Sequence, residues 1–224
     1  MEEKGSATPG AEKRAYLLEV VTAIVLGLGT TGAAYAAYQA SLYDGNSLDA
    51  YTEGLLKSAD ANKMTLEAQN NFTYDMITWM QWQGHIVAAE KQTGKEAEVE
   101  QALADSVAAD FIEERLKLAM EWSDKESAKQ GKFVSPLESE DYALELFSEA
   151  FDAEATMKET IEKARKANNI GDEYTLLTVL FTISLFFAGI ATVFKRDTVK
   201  IALLASGAVV LVFTAIRLFG LPAA

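Results

Sequence analysis

The sequence contains no cysteine and a single histidine, and both shortages exclude kinds of site. Without cysteine the chain can form no disulfide, no thiolate nucleophile and no cysteine-based zinc site. Metal sites on helices pair histidine with carboxylates three or four residues away, whereas Trp82 and Gln81 occupy those positions before His85. The sequence therefore predicts no metal site and no cofactor.

Motifs of the common enzyme classes are also missing. The chain has no P-loop, no dinucleotide-binding fingerprint, no kinase signature and no nucleophile motif. We therefore expect a protein that is not an enzyme and has no catalytic residues.

Basic residues are scarce, with 20 Lys and Arg against 33 Asp and Glu. Between Ser41 and Glu173, 28 acidic and 13 basic side chains give a net charge of −15, while the remaining 5 acidic and 7 basic residues give +2. Phosphate contacts need clustered Lys and Arg. This charge distribution argues against nucleic acid as a partner and indicates that the middle of the chain lies in water.

Long apolar segments are abundant by contrast. Glu19 is the only charged residue in 16–40, Arg217 is the only one in 201–220, and 174–194 has none. Roughly 20 apolar residues rising ~1.5 Å each match the ~30 Å hydrocarbon layer of a bilayer. We predict three transmembrane helices, with the lipid bilayer as a partner.

Basic residues in the short flanks predict the orientation of these helices. Lys13 and Arg14 precede the first span, and Lys195, Arg196 and Lys200 lie between the second and third spans. Both flanks are therefore expected in the cytoplasm, with the middle of the chain in the periplasm or extracellular space. The predicted segments are a cytoplasmic tail (1–15), an acidic helical extracytoplasmic domain (41–173), a basic cytoplasmic loop (195–200) and a C-terminal tail (221–224).

The stretch YAAYQASLYDGN (35–46) marks the predicted outer rim of the first span. Tyr35, Tyr38 and Tyr43 are typical of the aromatic belt at a water–lipid boundary, and 44–46 can form a turn. Alternatively, Gly45 only bends the helix, which then continues from the span into the middle of the chain. A cleaved signal peptide is the alternative, because a basic N-terminal region precedes the apolar run and 34–36 reads A-x-A. The length of the run favours a retained helix.

Helix-forming residues dominate the acidic middle of the chain. Gly94 interrupts them, as do Gly131 with Pro136, and two asparagines at 168–169 precede Gly171. These breaks predict helices over approximately 47–92, 95–130 and 137–169. Apolar residues recur every three or four positions along these segments. The fold class predicted is an all-α membrane protein with three transmembrane helices and an extramembrane antiparallel helical bundle, coiled-coil-like in its packing.

Several residues of the spans could have a particular role. An acid within a span is a functional candidate, although Glu19 could also reach the boundary or pair with the basic loop. Small side chains in the first span fit close helix packing, and its polar groups could instead line a pore. The candidate pore or packing residues are Glu19, Gly27, Thr30, Thr31, Gly32 and Gln39. The candidate membrane anchors are Tyr35, Tyr38, Tyr43, Lys195, Arg196 and Arg217.

The two junctions with the spans carry a resemblance to a protein family. YAAYQASLYDGN (35–46) and GDEYTLLTVLFTISLFFAGIA (171–191) resemble an uncharacterised family of prokaryotic three-span membrane proteins. Its members have a Y-Q-A motif after the first span and a long helical insert before a C-terminal two-span hairpin, and FIEERLKLAMEW (111–122) is similar to part of that insert. The resemblance implies the same layout at the plasma membrane of a prokaryotic cell, and it brings no catalytic residues.

Two functions are consistent with this sequence. The first is a non-enzymatic, homo-oligomeric membrane protein whose outer helical domain mediates interaction, scaffolding or sensing, with a protein partner for that domain. The second is a homo-oligomeric ion channel or transport component, with the first span lining the pore and the acidic domain concentrating cations.

Overall fold

The computed structural model describes the backbone of residues 9–224 and the side chains of residues 12–224. Its described part is all-helical, without strands: α1 (Pro9–Lys91), α2 (Lys95–Asp110), α3 (Glu114–Gln130), α4 (Glu140–Val193) and α5 (Asp197–Phe219). A single 3-10 turn, Pro136–Glu138, precedes α4. The all-helical class predicted from the sequence is confirmed. Residues 1–8 of the predicted N-terminal tail lie outside the described residues.

Two glycines separate helices where the sequence predicted a break. Gly94, between α1 and α2, has φ 66°, and Gly131, after α3, has φ 68°. A Cβ atom makes this left-handed conformation unfavourable, so glycine is the residue best suited to it. Beyond Gly131, the Ser135 hydroxyl and the Glu138 side chain cap the 3-10 turn reciprocally. These predicted helix boundaries are confirmed.

Two other boundaries predicted from the sequence are wrong. The segment 95–130 is two helices, interrupted at residues 111–113, where Ile112 is buried. α4 continues through 168–171, where a helix end was expected. α1 continues through 44–46, which is one of the two alternatives that the sequence left open there. Gly171 is a point of close contact, because an added Cβ would lie 2.7 Å from the Asp44 Oδ1 atom.

The chain divides into two compact units. The apolar unit comprises the chain up to Thr52 together with Ile161–Ala224, and the acidic unit is Glu53–Thr160. Parts of α1 and α4 therefore belong to each unit. α5 belongs to the apolar unit, and α2 and α3 belong to the acidic unit.

Small residues bring the helices of the apolar unit close together. An added Cβ on Gly29 would lie 2.7 Å from Leu185, and one on Gly207 would lie 3.1 Å from the Ser184 carbonyl oxygen. The Ser184 hydroxyl also donates to the Gly207 carbonyl at 2.8 Å. The core of this unit consists of Val25, Ala36, Ala40, Tyr43, Tyr174, Leu177, Phe181, Ala188, Ala191, Leu204 and Leu211.

Three helices, α1, α4 and α5, are long and apolar enough to cross a membrane. Within the most apolar window of each helix, only 17%, 28% and 22% of the residues are buried. Large apolar side chains such as Leu28, Phe186 and Val209 are exposed instead. Packing within the chain therefore leaves most of this apolar surface uncovered.

The acidic unit has a core of small and polar residues. Alanines such as Ala68 and Ala150 are buried there beside Leu116 and Ile112. Asp75 and Tyr142 are buried among them. Alanine contributes little apolar area, so specific polar contacts are expected to matter for this unit.

Candidate functional site

The Y-Q-A stretch places three polar side chains in a row on α1. Tyr35, Gln39 and Tyr43 are four residues apart, a spacing that puts successive side chains on one helix face. The Gln39 side-chain amide donates to the Tyr35 hydroxyl at 3.3 Å. Gln39 and Tyr43 are buried, whereas the Tyr35 ring is partly exposed.

The row holds the segment Leu221–Ala224 that follows α5. Tyr43 and Tyr174 both donate their hydroxyls to the Pro222 carbonyl oxygen, at 2.8 and 3.1 Å. Their rings stack with centroids 5.9 Å apart. The Gln39 side-chain oxygen accepts the Ala224 backbone N–H at 2.9 Å. We refer to Tyr35, Gln39, Tyr43 and Tyr174 as the clamp.

A groove of about 680 Å³ lies beside the clamp, within the apolar unit. Its wall is almost entirely apolar, and its polar lining residues are Thr31, Tyr35 and Tyr174. The lining residues come from α1, α4, α5 and the segment that follows α5: Leu28, Thr31, Gly32, Tyr35, Tyr174, Phe181, Leu211, Val212, Ala215, Leu218, Phe219 and Leu221. The volume falls within the roughly 300–1,000 Å³ typical of ligand pockets.

An ion pair joins α4 to α5 in the same unit. The Arg217 guanidinium donates to the Glu173 carboxylate at 2.6 Å, and both side chains are about half exposed. The sequence predicted Arg217 as a candidate membrane anchor. The two residues are 44 positions apart, so nothing in the local sequence indicated this pair.

A buried carboxylate organises the acidic unit. Asp75 accepts from the Arg115 guanidinium, with Nε at 2.8 Å and Nη2 at 3.2 Å, and from the Tyr142 hydroxyl at 3.0 Å. Arg115 also pairs with the more exposed Glu113. The cluster therefore connects α1, α3 and α4 through a single buried negative charge.

The Asp75 cluster shifts the pKa values of its two proton donors upward. Burial raises the pKa of Tyr142, and the charge and hydrogen bond of Asp75 raise it further. For Arg115, burial alone would lower the pKa, but the hydrogen bonds and charge of Asp75 outweigh burial and raise it. Both groups therefore hold their protons more strongly in the folded state.

The predicted pore and packing residues do not form one site. Gly32 and Thr31 line the groove, and Gln39 belongs to the clamp. Gly27 and Thr30 lie on an exposed face of α1. The hydroxyls of Thr30 and Thr31 donate to backbone carbonyls one turn earlier, at 2.7 and 3.0 Å.

The predicted charged residues are dispersed. Glu19 is exposed, and among the described residues it forms no ion pair with Lys195, Arg196 or Lys200. Tyr38 is exposed on α1, in keeping with an anchor, whereas Tyr43 is buried in the clamp. The sequence predicted Tyr43 as a membrane anchor and Gln39 as a pore or packing residue, and it did not indicate their hydrogen bonds to residues 222 and 224.

His85 lies beside Glu100, with its Nδ1 atom 2.7 Å from the carboxylate. Within residues 12–224, no group of three or more His, Asp or Glu side chains has the geometry to hold a metal ion.

Comparison of the chain with models of known protein families, with curated proteins and with solved structures finds no match. The resemblance to the three-span family therefore remains an expectation.

Proposed function

We propose that the chain is an integral membrane protein in which residues 16–40, 174–194 and 201–220 cross the bilayer. The observation that supports this most directly is the exposure of the apolar windows of α1, α4 and α5, of which at least 72% of residues are not buried. Water would make such a surface costly, at about 25 cal/mol per Å², whereas lipid removes that cost. Flotation of the purified chain with vesicles tests the proposal, and a chain that stays soluble without detergent contradicts it.

The proposed topology places the N-terminus and residues 195–200 in the cytoplasm and the acidic unit outside, as an extramembrane antiparallel helical bundle. The basic residues of the two short flanks support this orientation. The contacts of Asp75 with α3 and α4 support the bundle. A reporter inserted at Gly94, in the exposed turn between α1 and α2, distinguishes the two sides of the membrane.

The role we propose is non-enzymatic: an oligomeric protein whose outer helical unit mediates interaction or scaffolding. An exposed apolar row on α1 supports this role. Leu55, Leu66 and Ile77 are 70%, 59% and 48% exposed, and each lies 11 residues, about three helical turns, from the next. Exposed apolar rows of this kind on a water-facing unit mark sites that another helix covers.

The occupant we propose for this row is a second copy of the chain. A mass measurement in detergent determines the oligomeric state directly, and a monomer contradicts the proposal. Leu66→Glu should lower the oligomer mass because it places a charge in the helix interface. Leu118→Glu on α3, which is also exposed, is the matched control and should leave the mass unchanged.

A channel in which the first span lines the pore is the second proposed function. The exposure of Gly27 and Thr30 on α1 favours it, because oligomerisation could turn this face toward a common axis. Ion flux in liposomes tests the idea. Thr30→Leu should abolish a salt-dependent flux if this face lines a pore, and an absence of flux in the wild type argues for the scaffold alone.

A further inference from the structure

We infer that the groove beside the clamp binds one acyl chain of a membrane lipid. The inference depends on the proposed membrane insertion, since the groove lies within the apolar unit. Only three of its lining residues, Thr31, Tyr35 and Tyr174, carry a polar side chain. An apolar wall with a few polar groups at one end matches the chemistry of an acyl chain joined to an ester.

The direction of the groove fits a lipid standing in one leaflet. Tyr35 and Tyr174 lie at the ends of the first and second apolar segments that adjoin the acidic domain. Leu28, Phe181 and Leu211 lie seven or more residues deeper along their helices. The polar end is therefore at the proposed outer boundary, and the apolar end is near the middle of the bilayer.

The length of the groove argues against a helix from a second copy. From Leu28 to Tyr35 the groove extends ~10 Å along α1, and from Leu211 to Phe219 ~12 Å along α5, at ~1.5 Å per residue. A spanning helix would pack along the full ~30 Å of hydrocarbon, whereas a lipid chain occupies half of it, ~15 Å. The length of the groove is therefore close to the thickness of the hydrocarbon in one leaflet.

The polar end offers a hydrogen bond to such a lipid. Tyr35 accepts from Gln39, so its own proton is directed elsewhere, and no described residue accepts it. Tyr174 is already engaged with Pro222. The Tyr35 hydroxyl can therefore donate to an ester carbonyl of the lipid while the chain lies against Phe181.

The test uses phosphatidylcholine vesicles that contain a phosphatidylcholine with a diazirine on one acyl chain. After illumination, mass spectrometry of the peptides locates the crosslinks. We expect crosslinks at residues 28–35 and 211–219 severalfold above those at the exposed Ile24 and Ile183, which lie outside the groove. Equal crosslinking at all exposed positions would overturn the inference, as would a groove whose residues crosslink less than Ile24 and Ile183.

A matched pair of variants separates the groove from general lipid contact. Val212 and Val209 are exposed valines three residues apart on α5, and only Val212 lines the groove. Val212→Trp and the half-buried Ala215→Trp should reduce groove crosslinking severalfold, whereas Val209→Trp should not. Flotation of each protein is scored first, so that a failure of membrane insertion is distinguished from an empty groove. An inserted chain whose groove crosslinking is unchanged by both filling variants would also refute the inference.

Discussion

Gly32 on α1 lies directly against the ring of Phe181 on α4. A Cβ atom added to Gly32 would lie 2.6 Å from both the Cε1 and Cζ atoms of that ring. Phe181 is itself buried in the core of the apolar unit, so a shift of its ring would disturb the contacts it makes there. The absence of a side chain at position 32 therefore sets the distance between α1 and α4.

Gly32→Ala should destabilise the chain by about 1–3 kcal/mol, because overpacking forces side chains from their preferred rotamers. Thermal unfolding in detergent measures the change. Gly27→Ala is the matched control on the same helix, since no atom lies within 4 Å of its added Cβ. Alanine has the higher helix propensity, so this control should be neutral or slightly stabilising. Equal effects of the two substitutions would show that the contact with Phe181 does not matter.

Asp75→Leu should destabilise the acidic unit by about 3 kcal/mol, the lower end of the range for breaking a buried ion pair. Arg115 retains Glu113 as a partner, which limits the loss. Denaturant unfolding followed by tryptophan fluorescence is suitable, because all three tryptophans belong to this unit.

Two further variants test whether charge, and not shape, causes that loss. Adding Arg115→Met to Asp75→Leu should recover part of the stability, since no uncompensated charge remains. Glu114→Gln removes an exposed carboxylate that is 3.8 Å from Lys117, and it should cost less than about 1 kcal/mol. A double variant less stable than Asp75→Leu alone would contradict the proposed role of the pair.

The raised pKa of Tyr142 predicts a loss of stability in alkali. Above pH ~10 an unfolded chain releases the tyrosine proton, whereas the folded state retains it because of burial and the adjacent Asp75. The folded state then binds more protons, so the free energy of unfolding falls as the pH rises. The stability that Tyr142 contributes through its raised pKa is therefore fully present below pH ~10 and decreases progressively above it.

Tyr142→Phe should flatten this alkaline dependence while lowering stability at neutral pH by about 1 kcal/mol, the typical value of one hydrogen bond. Denaturant unfolding at pH values from 8 to about 11 measures both effects. Tyr74→Phe, which removes an exposed hydroxyl from α1, is the control and should retain the wild-type slope. Parallel slopes for wild type and Tyr142→Phe would show that another group controls the alkaline loss.

The helical class and the three apolar helices were predictable because they depend on local properties. Hydropathy over some 20 residues and the left-handed turns at Gly94 and Gly131 need no tertiary information. Gly171, in contrast, does not mark a helix boundary, although the local sequence predicts a helix end just before it. α4 continues through Gly171, and its missing side chain leaves room for Asp44 on α1.

The polar contacts of the candidate sites could not be predicted in the same way. Asp75 and Arg115 are 40 residues apart, and Gln39 and Ala224 are 185 apart. Each of these side chains is common on solvated helix faces, so its burial depends on contacts that local patterns do not contain. The break between α2 and α3 has the same origin: no glycine or proline marks residues 111–113, and the burial of Ile112 favours the turn.

Gln39→Leu should release the segment Leu221–Ala224 from the clamp, because the Ala224 N–H loses its acceptor. A hydrogen bond of about 0.5–1.5 kcal/mol corresponds to a roughly two- to tenfold change in the population of the released state.

The chain has no cysteine, so Ala223→Cys introduces a unique thiol next to the bonded residues. Its rate of reaction with a maleimide should rise by that factor in the Gln39→Leu background, and rise again when Tyr43→Phe removes the bond to Pro222. Tyr38→Phe changes an exposed neighbour outside the clamp and should leave the rate unaltered. A rate equal in all backgrounds would show that these side chains do not hold the segment, and the position of Gln39 at the junction would then require another explanation.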